Sequence, residues 1–152
     1  MKHRRPNATA RRNPAPSSPQ VSKAMAANRG VGNALERGFL NALKNARITG
    51  FKANHKVDGI RPDLVFLQKK VAVFLHGCFW HRCPECALPL PKRNRDFWQA
   101  KFRANRRRDR LKRDALESLG WLVKEYWAHE ILPDATKTIA RLRMTLEQRL
   151  ER

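Results

Sequence analysis

Val71-Ala72-Val73-Phe74-Leu75-His76-Gly77-Cys78-Phe79-Trp80-His81-Arg82-Cys83-Pro84-Glu85-Cys86 is the stretch that decides how this chain folds. Its first five residues form an unbroken apolar run, short enough to be a buried strand. The composition then changes abruptly. All three cysteines of the chain follow, together with two of its five histidines and two large aromatics. Such chemistry makes a poor core filler. It suits a loop at a strand end that is stiffened by a metal, carries a catalytic group and offers flat apolar surfaces to a partner.

Upstream, Leu64 to Leu67 follows Arg61-Pro62-Asp63 as a second strand, and Gln68-Lys69-Lys70 is short enough to join it to Val71 as a hairpin. Phe51 to Lys56 is a weaker third strand. A helix is expected to start at Asn33, with Glu36 at the capping-box position and Leu35, Phe39, Leu40 and Leu43 as its apolar stripe. Gly50 is expected to end that segment. Downstream, Asn94 to Leu119 reads as a long helix stopped by Gly120. Trp121 to Trp127 is another strand, rich in aromatic and β-branched residues. Pro133-Asp134 opens a last helix with Ile139, Leu142, Leu146 and Leu150 near one side. The order helix, three strands, helix, strand, helix gives an α/β fold with a mixed central sheet flanked by helices.

A length of 152 residues supports one domain with tails. The formal net charge of +20 and a pI near 11.3 call for a polyanionic partner, nucleic acid before membrane. No apolar run is long enough to span a bilayer. The opening Met1-Lys2-His3-Arg4-Arg5 leads into Pro, Ala, Asn and Ser rather than a signal-peptide core, so secretion is not expected. Four prolines in the first twenty residues argue against an amphipathic transit helix. Residues 1–20 read as a disordered basic arm, 21–132 as the folded domain, and 133–152 as a C-terminal helix packed on it or extending from it. Three clustered cysteines do not make a disulfide framework and fit a reducing compartment.

Cys78, Cys83 and Cys86 have the spacing C-x4-C-x2-C, which a tetrahedral zinc site accommodates. Incidental cysteines are the plainer alternative. The fourth ligand can come from His76, His81 or His129, and closing the loop onto the neighbouring strand favours His129. Asp63 precedes one strand of the hairpin and His76 ends the other, so both can reach one phosphate. Asp63 suits Mg²⁺, which takes oxygen ligands, although an Asp after Pro is most often a turn residue. His81 is either a ligand or a general base. Between Lys101 and Arg113 stand eight basic residues and one acid, Asp109. This is a solvated helix face or a phosphate track, with Arg103, Arg106, Arg107 and Arg110 the candidate DNA contacts. Asp109 is either an ion-pair partner for Arg106 or Arg113, or the carboxylate that orients an imidazole.

Arg61-Pro62-Asp63-Leu64-Val65-Phe66, then Val73 through His81, then Asp96-Phe97-Trp98, Asn105 to Arg110, and Gly120-Trp121-Leu122-Val123 with Trp127 resemble the very short patch repair (Vsr) DNA mismatch endonucleases. The likeness runs from about Ser22 to Leu132, and its HGCFWH block is highly specific. It implies a restriction-endonuclease-like fold with a structural zinc loop, and Mg²⁺-dependent nicking of double-stranded DNA 5′ to the T of a T:G mismatch. In that likeness Asp63 and the backbone carbonyl of Leu75 hold Mg²⁺, His81 is the general base and Asp109 its carboxylate. His76 lies near the scissile phosphate and Glu36 at the edge of the site. Phe79, Trp80 and Trp98 wedge into the base stack, and Cys78, Cys83, Cys86 and His129 hold Zn²⁺. A cytoplasmic, nucleoid-associated bacterial monomer that works beside mismatch-repair proteins is implied as well.

The chain departs from the best-known members at several points. Cys83 and His129 exchange the expected His and Cys, which keeps three thiolates and one imidazole. Cys86 is displaced by one residue, and Leu75 replaces a threonine. Lys70 to His76 lacks the acid of an ordinary PD-(D/E)xK nuclease. Two rival readings stand beside this one: a related nuclease acting on other DNA, of restriction or mobile-element type, and a non-catalytic zinc-stabilised DNA-binding module.

Overall fold

The apolar run at Val71 becomes the inner strand β3 (Val71–His76) of a four-stranded sheet, five of its six residues buried. The computed structural model describes residues 19–149. β3 pairs antiparallel with β2 (Leu64–Phe66), and β2 in turn with the two-residue β1 (Lys52–Ala53). The hairpin link is a 3₁₀ turn at Leu67–Lys69, closed by Lys70 in the left-handed region at φ 49°. Beyond β3 the chain passes through the Cys/His loop and α2 (Arg95–Ser118). It returns as β4 (Leu122–Trp127), parallel to β3 with Val71 beside Leu122 and His76 beside Trp127. A parallel neighbour needs such a long crossover. The sheet is therefore mixed, in the order β1-β2-β3-β4.

Alternation along the strands sends side chains to two faces, and each face is covered by helix. On one face Val71, Val73, Leu64, Phe66 and Tyr126 meet Leu35, Phe39 and Leu43 of α1 (Pro19–Asn45), Ile131 of the short α3 (Ala128–Ile131), and Ile139, Leu142 and Leu146 of α4 (Thr136–Gln148). Phe39, Leu43 and Leu142 are fully buried, each worth roughly 1.5–3 kcal/mol of removed apolar surface. On the other face Val65, Ala72 and Phe74 receive Leu116 near the end of α2. The C-terminal helix is thus part of the main core.

Several boundaries differ from those expected. α1 begins at Pro19, well before Asn33. Proline is tolerated in a first turn, Lys23-Ala24-Met25-Ala26-Ala27 favours helix, and Gly30 and Gly32 each cost only about 1 kcal/mol. Asn33 lies inside the helix and is not its N-cap. Glu36 instead accepts a hydrogen bond from Asn54 Nδ2 at 3.1 Å. α1 ends at Asn45 rather than Gly50: Arg47 adopts φ 54°, and the N–H groups of Arg47 and Ile48 close on the carbonyls of Lys44 and Leu43. The strand expected over Phe51 to Lys56 shrinks to Lys52–Ala53, and Leu67 belongs to the turn. α4 starts at Thr136, where Asp134 accepts hydrogen bonds from the Thr136 N–H and hydroxyl. α3 was not anticipated. Residues 1–18 of the expected arm, and Leu150, lie outside the described residues.

Candidate active site and metal centre

The register of the hairpin brings Asp63, just before β2, across from the end of β3, where its Oδ2 accepts the Leu75 N–H at 2.7 Å. Burial raises the Asp63 carboxyl above its usual range and outweighs that hydrogen bond; Glu36 raises it further, while His76 and His81 lower it. A desolvated carboxylate with one oxygen tied to the backbone is short of positive charge, and a hard cation supplies it. Asp63 therefore fits the oxygen-ligand role for Mg²⁺.

His76, 5% exposed, ends β3 with its ring 4.5 Å from that of His81 and 5.1 Å from that of Trp127, centroid to centroid. His81 Nδ1 lies 2.6 Å from Asp109 Oδ2, so the imidazole donates there and keeps Nε2 for a water or substrate. Burial alone would raise Asp109, but the hydrogen bond and charge of His81 bring it below its usual range. One ligand atom each from His76, His81 and Asp109 fall within 4.8 Å of one another. Asp109 thus pairs with His81, and Arg113 turns elsewhere.

The helix period explains why α2 serves this site. Trp98, Phe102, Asn105, Asp109, Arg113 and Leu116 recur at three- and four-residue steps and share its inner face. Leu116 anchors in the apolar sheet. Arg113 NH1 reaches Glu125 Oε2 at 3.0 Å, Asp109 holds His81, and Asn105 Nδ2 donates to the Trp80 carbonyl at 3.0 Å. Phe102 and Trp98 support the aromatics of the loop. One helix face fixes four separate parts of the site.

The residue that the sequence reading missed is Glu125. Its Oε1 lies 3.1 Å from His76 Nε2, and its carboxyl falls below its usual range, first through the His76 hydrogen bond and then, against burial, through Arg113. A lone acid inside an aromatic strand next to β3 was the available signal.

The Sγ atoms of Cys78, Cys83 and Cys86 lie 3.4, 3.6 and 3.4 Å from His129 Nδ1. Tetrahedral Zn²⁺ with ordinary Zn–S and Zn–N bonds places sulfur and nitrogen about 3.6 Å apart. The four ligand atoms all lie within 4.8 Å of one another, so the group can hold zinc. Burial and the neighbouring thiols push the Cys86 thiol up to about 12, a crowding that a cation relieves. His129 stands one residue into α3, directly after β4, and its Nε2 meets Glu85 Oε2 at 3.0 Å. Neither His76 nor His81 joins this group.

Phe79 and Trp80 are half-buried and meet edge to face at 5.0 Å. Trp98 does not present a free ring. It is 3% exposed, packed between Trp80 at 6.0 Å and Phe102 at 5.7 Å, because its position on the inner face of α2 aims it into the loop. Arg103, Arg106, Arg107 and Arg110 are exposed on one shoulder of α2. Among the described residues no helix is long and apolar enough to cross a membrane.

The chain is similar to known proteins. The family described as DNA mismatch endonuclease Vsr matches residues 17–87. The type II nicking enzyme V.NaeI of Lentzea aerocolonigenes is 37% identical over 137 residues, covering 83% of this chain and 78% of the relative. The chain belongs to the Vsr endonuclease family. Its likeness to the DNA mismatch endonuclease Vsr of Escherichia coli K12 is 37% over 67 residues, 44% of this chain and 43% of that one. The catalytic domain of the homing endonuclease I-Bth0305I superposes with a TM-score of 0.51 at 21% identity, covering 75% of this chain and 94% of that domain. That superposition supports the fold alone. A Vsr-family member is a DNA endonuclease of the nicking kind, so DNA is the partner that the positive charge anticipated. The non-catalytic reading falls with that membership.

Proposed function

We propose that this Vsr-family chain acts as a monomer in the bacterial cytoplasm at the nucleoid, nicking double-stranded DNA 5′ to the T of a T:G mismatch by Mg²⁺-dependent hydrolysis. The observation that carries the reading is the His81–Asp109 pair at 2.6 Å, held beside the half-buried Asp63 carboxylate. Asp63 and the Leu75 carbonyl would hold Mg²⁺, which when bound polarises the phosphate and stabilises developing negative charge. His81, oriented by Asp109 through Nδ1, takes the proton of the attacking water at Nε2. His76, one ring away, faces the phosphate, and Glu36 borders the site. Phe79 and Trp80 enter the base stack, where a mismatch has already weakened stacking and lowers the cost of the wedge. Mismatch-repair proteins are the expected company of such an enzyme.

A second reading is nicking of matched DNA at a fixed sequence. The likeness to V.NaeI, a type II nicking enzyme, favours it. Supercoiled or duplex DNA carrying T:G, T:A, C:G and other pairs in one sequence context, with and without Mg²⁺, separates the two. Strand-specific cleavage at T:G alone is the expected result. Equal nicking of T:A and T:G at one sequence would replace the mismatch reading with the second.

A further inference from the structure

The two active-site imidazoles are held in the same way, and only one of the two holders is accounted for by the reading above. His81 gives one nitrogen to Asp109, on α2. His76 gives Nε2 to Glu125 Oε1 at 3.1 Å, and the other oxygen of Glu125 is gripped by Arg113 NH1, one helical turn along the same face of α2, at 3.0 Å. Phe74 lies opposite Glu125 and His76 opposite Trp127 in the parallel register, so Glu125 and His76 lie on one face of the sheet and meet diagonally. His76 is nearly buried, its ring flanked by Phe74, His81 and Trp127, with no polar side chain other than Glu125 hydrogen-bonded to it among the described residues.

We infer that Glu125, clamped by Arg113, is the positioning residue of His76: it fixes the proton of the ring on Nε2 and leaves Nδ1 as the nitrogen that meets substrate. An ionised carboxylate only accepts, so Nε2 must be the donor. A ring at a strand end needs such a partner because stacking sets its plane but not its rotation by half a turn. Arg113 uses one of its N–H groups on Oε2, which holds the carboxylate in place and leaves Oε1 for the imidazole. This inference rests on the nicking reading for its catalytic consequence, whereas the assignment of the ring nitrogens stands apart from it.

Single-turnover nicking by the full chain, at saturating and sub-saturating duplex, tests it. Glu125→Ala should lower the cleavage rate by about tenfold to a hundredfold, the usual loss when a reacting group is misplaced, with the half-saturating DNA concentration unchanged. Glu125→Gln should recover part of the rate, since its carbonyl oxygen still accepts from Nε2. In a His76→Ala background Glu125→Ala should cost nothing more, because the two act as one unit. Losses that multiply in the double variant, or wild-type cleavage by Glu125→Ala, overturn the inference. Where Glu125→Ala does not fold, Arg113→Met takes its place and should show a smaller, equally His76-dependent loss. Nitrogen-15 spectra of the DNA-free protein give an independent readout. His76 should carry its proton on Nε2 in the wild type and in Glu125→Gln, and lose that preference in Glu125→Ala; a wild type protonated on Nδ1 alone refutes the assignment. If the wild type nicks no duplex at all, the nicking reading falls while the spectra still decide the role of Glu125.

Discussion

Asp63 is held in a way that costs stability. Its carboxyl is raised by burial despite the Leu75 N–H, and Glu36 adds like charge. An acid whose folded value lies above its unfolded one destabilises the native state when ionised, fully above the folded value and not at all below the ordinary range near 4. Asp63→Asn, measured without divalent metal, is therefore expected to melt higher than the wild type at neutral pH, with the gap closing as the pH falls toward about 4. The same variant should lose Mg²⁺-dependent nicking while still binding DNA. A variant that melts lower at pH 7 would show that the carboxylate is a structural hydrogen-bond acceptor first. His81 has a different signature. His81→Ala should slow cleavage by roughly 10²–10⁴, and Asp109→Asn by less, with zinc content unchanged in both. Zinc loss in His81→Ala would make His81 a ligand instead.

The Cys/His loop, whose four ligand atoms can hold zinc, is the element whose folding is expected to depend most on something outside the polypeptide. It makes one strand-to-helix connection, from His76 to Arg95, and His129 ties it to the end of β4. Cys86→Ser should lower zinc content and melting temperature together, and strong chelation should unfold the chain, since ligand binding here is folding free energy. Zinc-free protein that stays folded and active would remove the structural role. Much of this element was legible beforehand, because three cysteines in one short segment have few other uses, and His129 follows a strand that parallels β3. α2 was legible within a residue at each end, its stop marked by Gly120 at φ +82°. α1 was not. An Asn–Glu pair at capping spacing looked like a start, but the alanine-rich stretch before it continues the helix, and local capping lost to helix propensity. The helical phase of Trp98, shared with Phe102, turns its ring inward, a placement that its aromatic chemistry alone does not announce. Glu125 was passed over because the sheet register that sets it beside His76 depends on two strands separated by a loop and a whole helix.

At the scale of the whole molecule, charge and shape divide affinity from choice of substrate. On the proposed reading, the net charge of +20 and the exposed Arg103, Arg106, Arg107 and Arg110 would act on phosphates, which carry no sequence information. Replacing each of these arginines by alanine should weaken binding to matched and mismatched duplexes alike. It should also reduce the salt dependence of log K by about one for every arginine that meets a phosphate. Trp80 should behave in the opposite way. Its ring rests on Phe79 and on Trp98, with the Lys101 ammonium 5.8 Å from its centre, so an aromatic support holds it in place. Entering a base step costs a few kcal/mol of unstacking, less where pairing is already impaired, and the difference appears as preference rather than affinity. Trp80→Ala is expected to lower T:G cleavage well beyond its effect on binding matched duplex, and to leave the salt dependence unchanged. Trp98→Ala should produce the same loss of preference together with a lower melting temperature, because it removes the floor on which the ring stands. Equal losses on T:G and matched substrates in a folded Trp80→Ala protein would show that the ring does not discriminate, and recognition would then have to be sought in the polar groups around Asn105 and the Trp80 carbonyl.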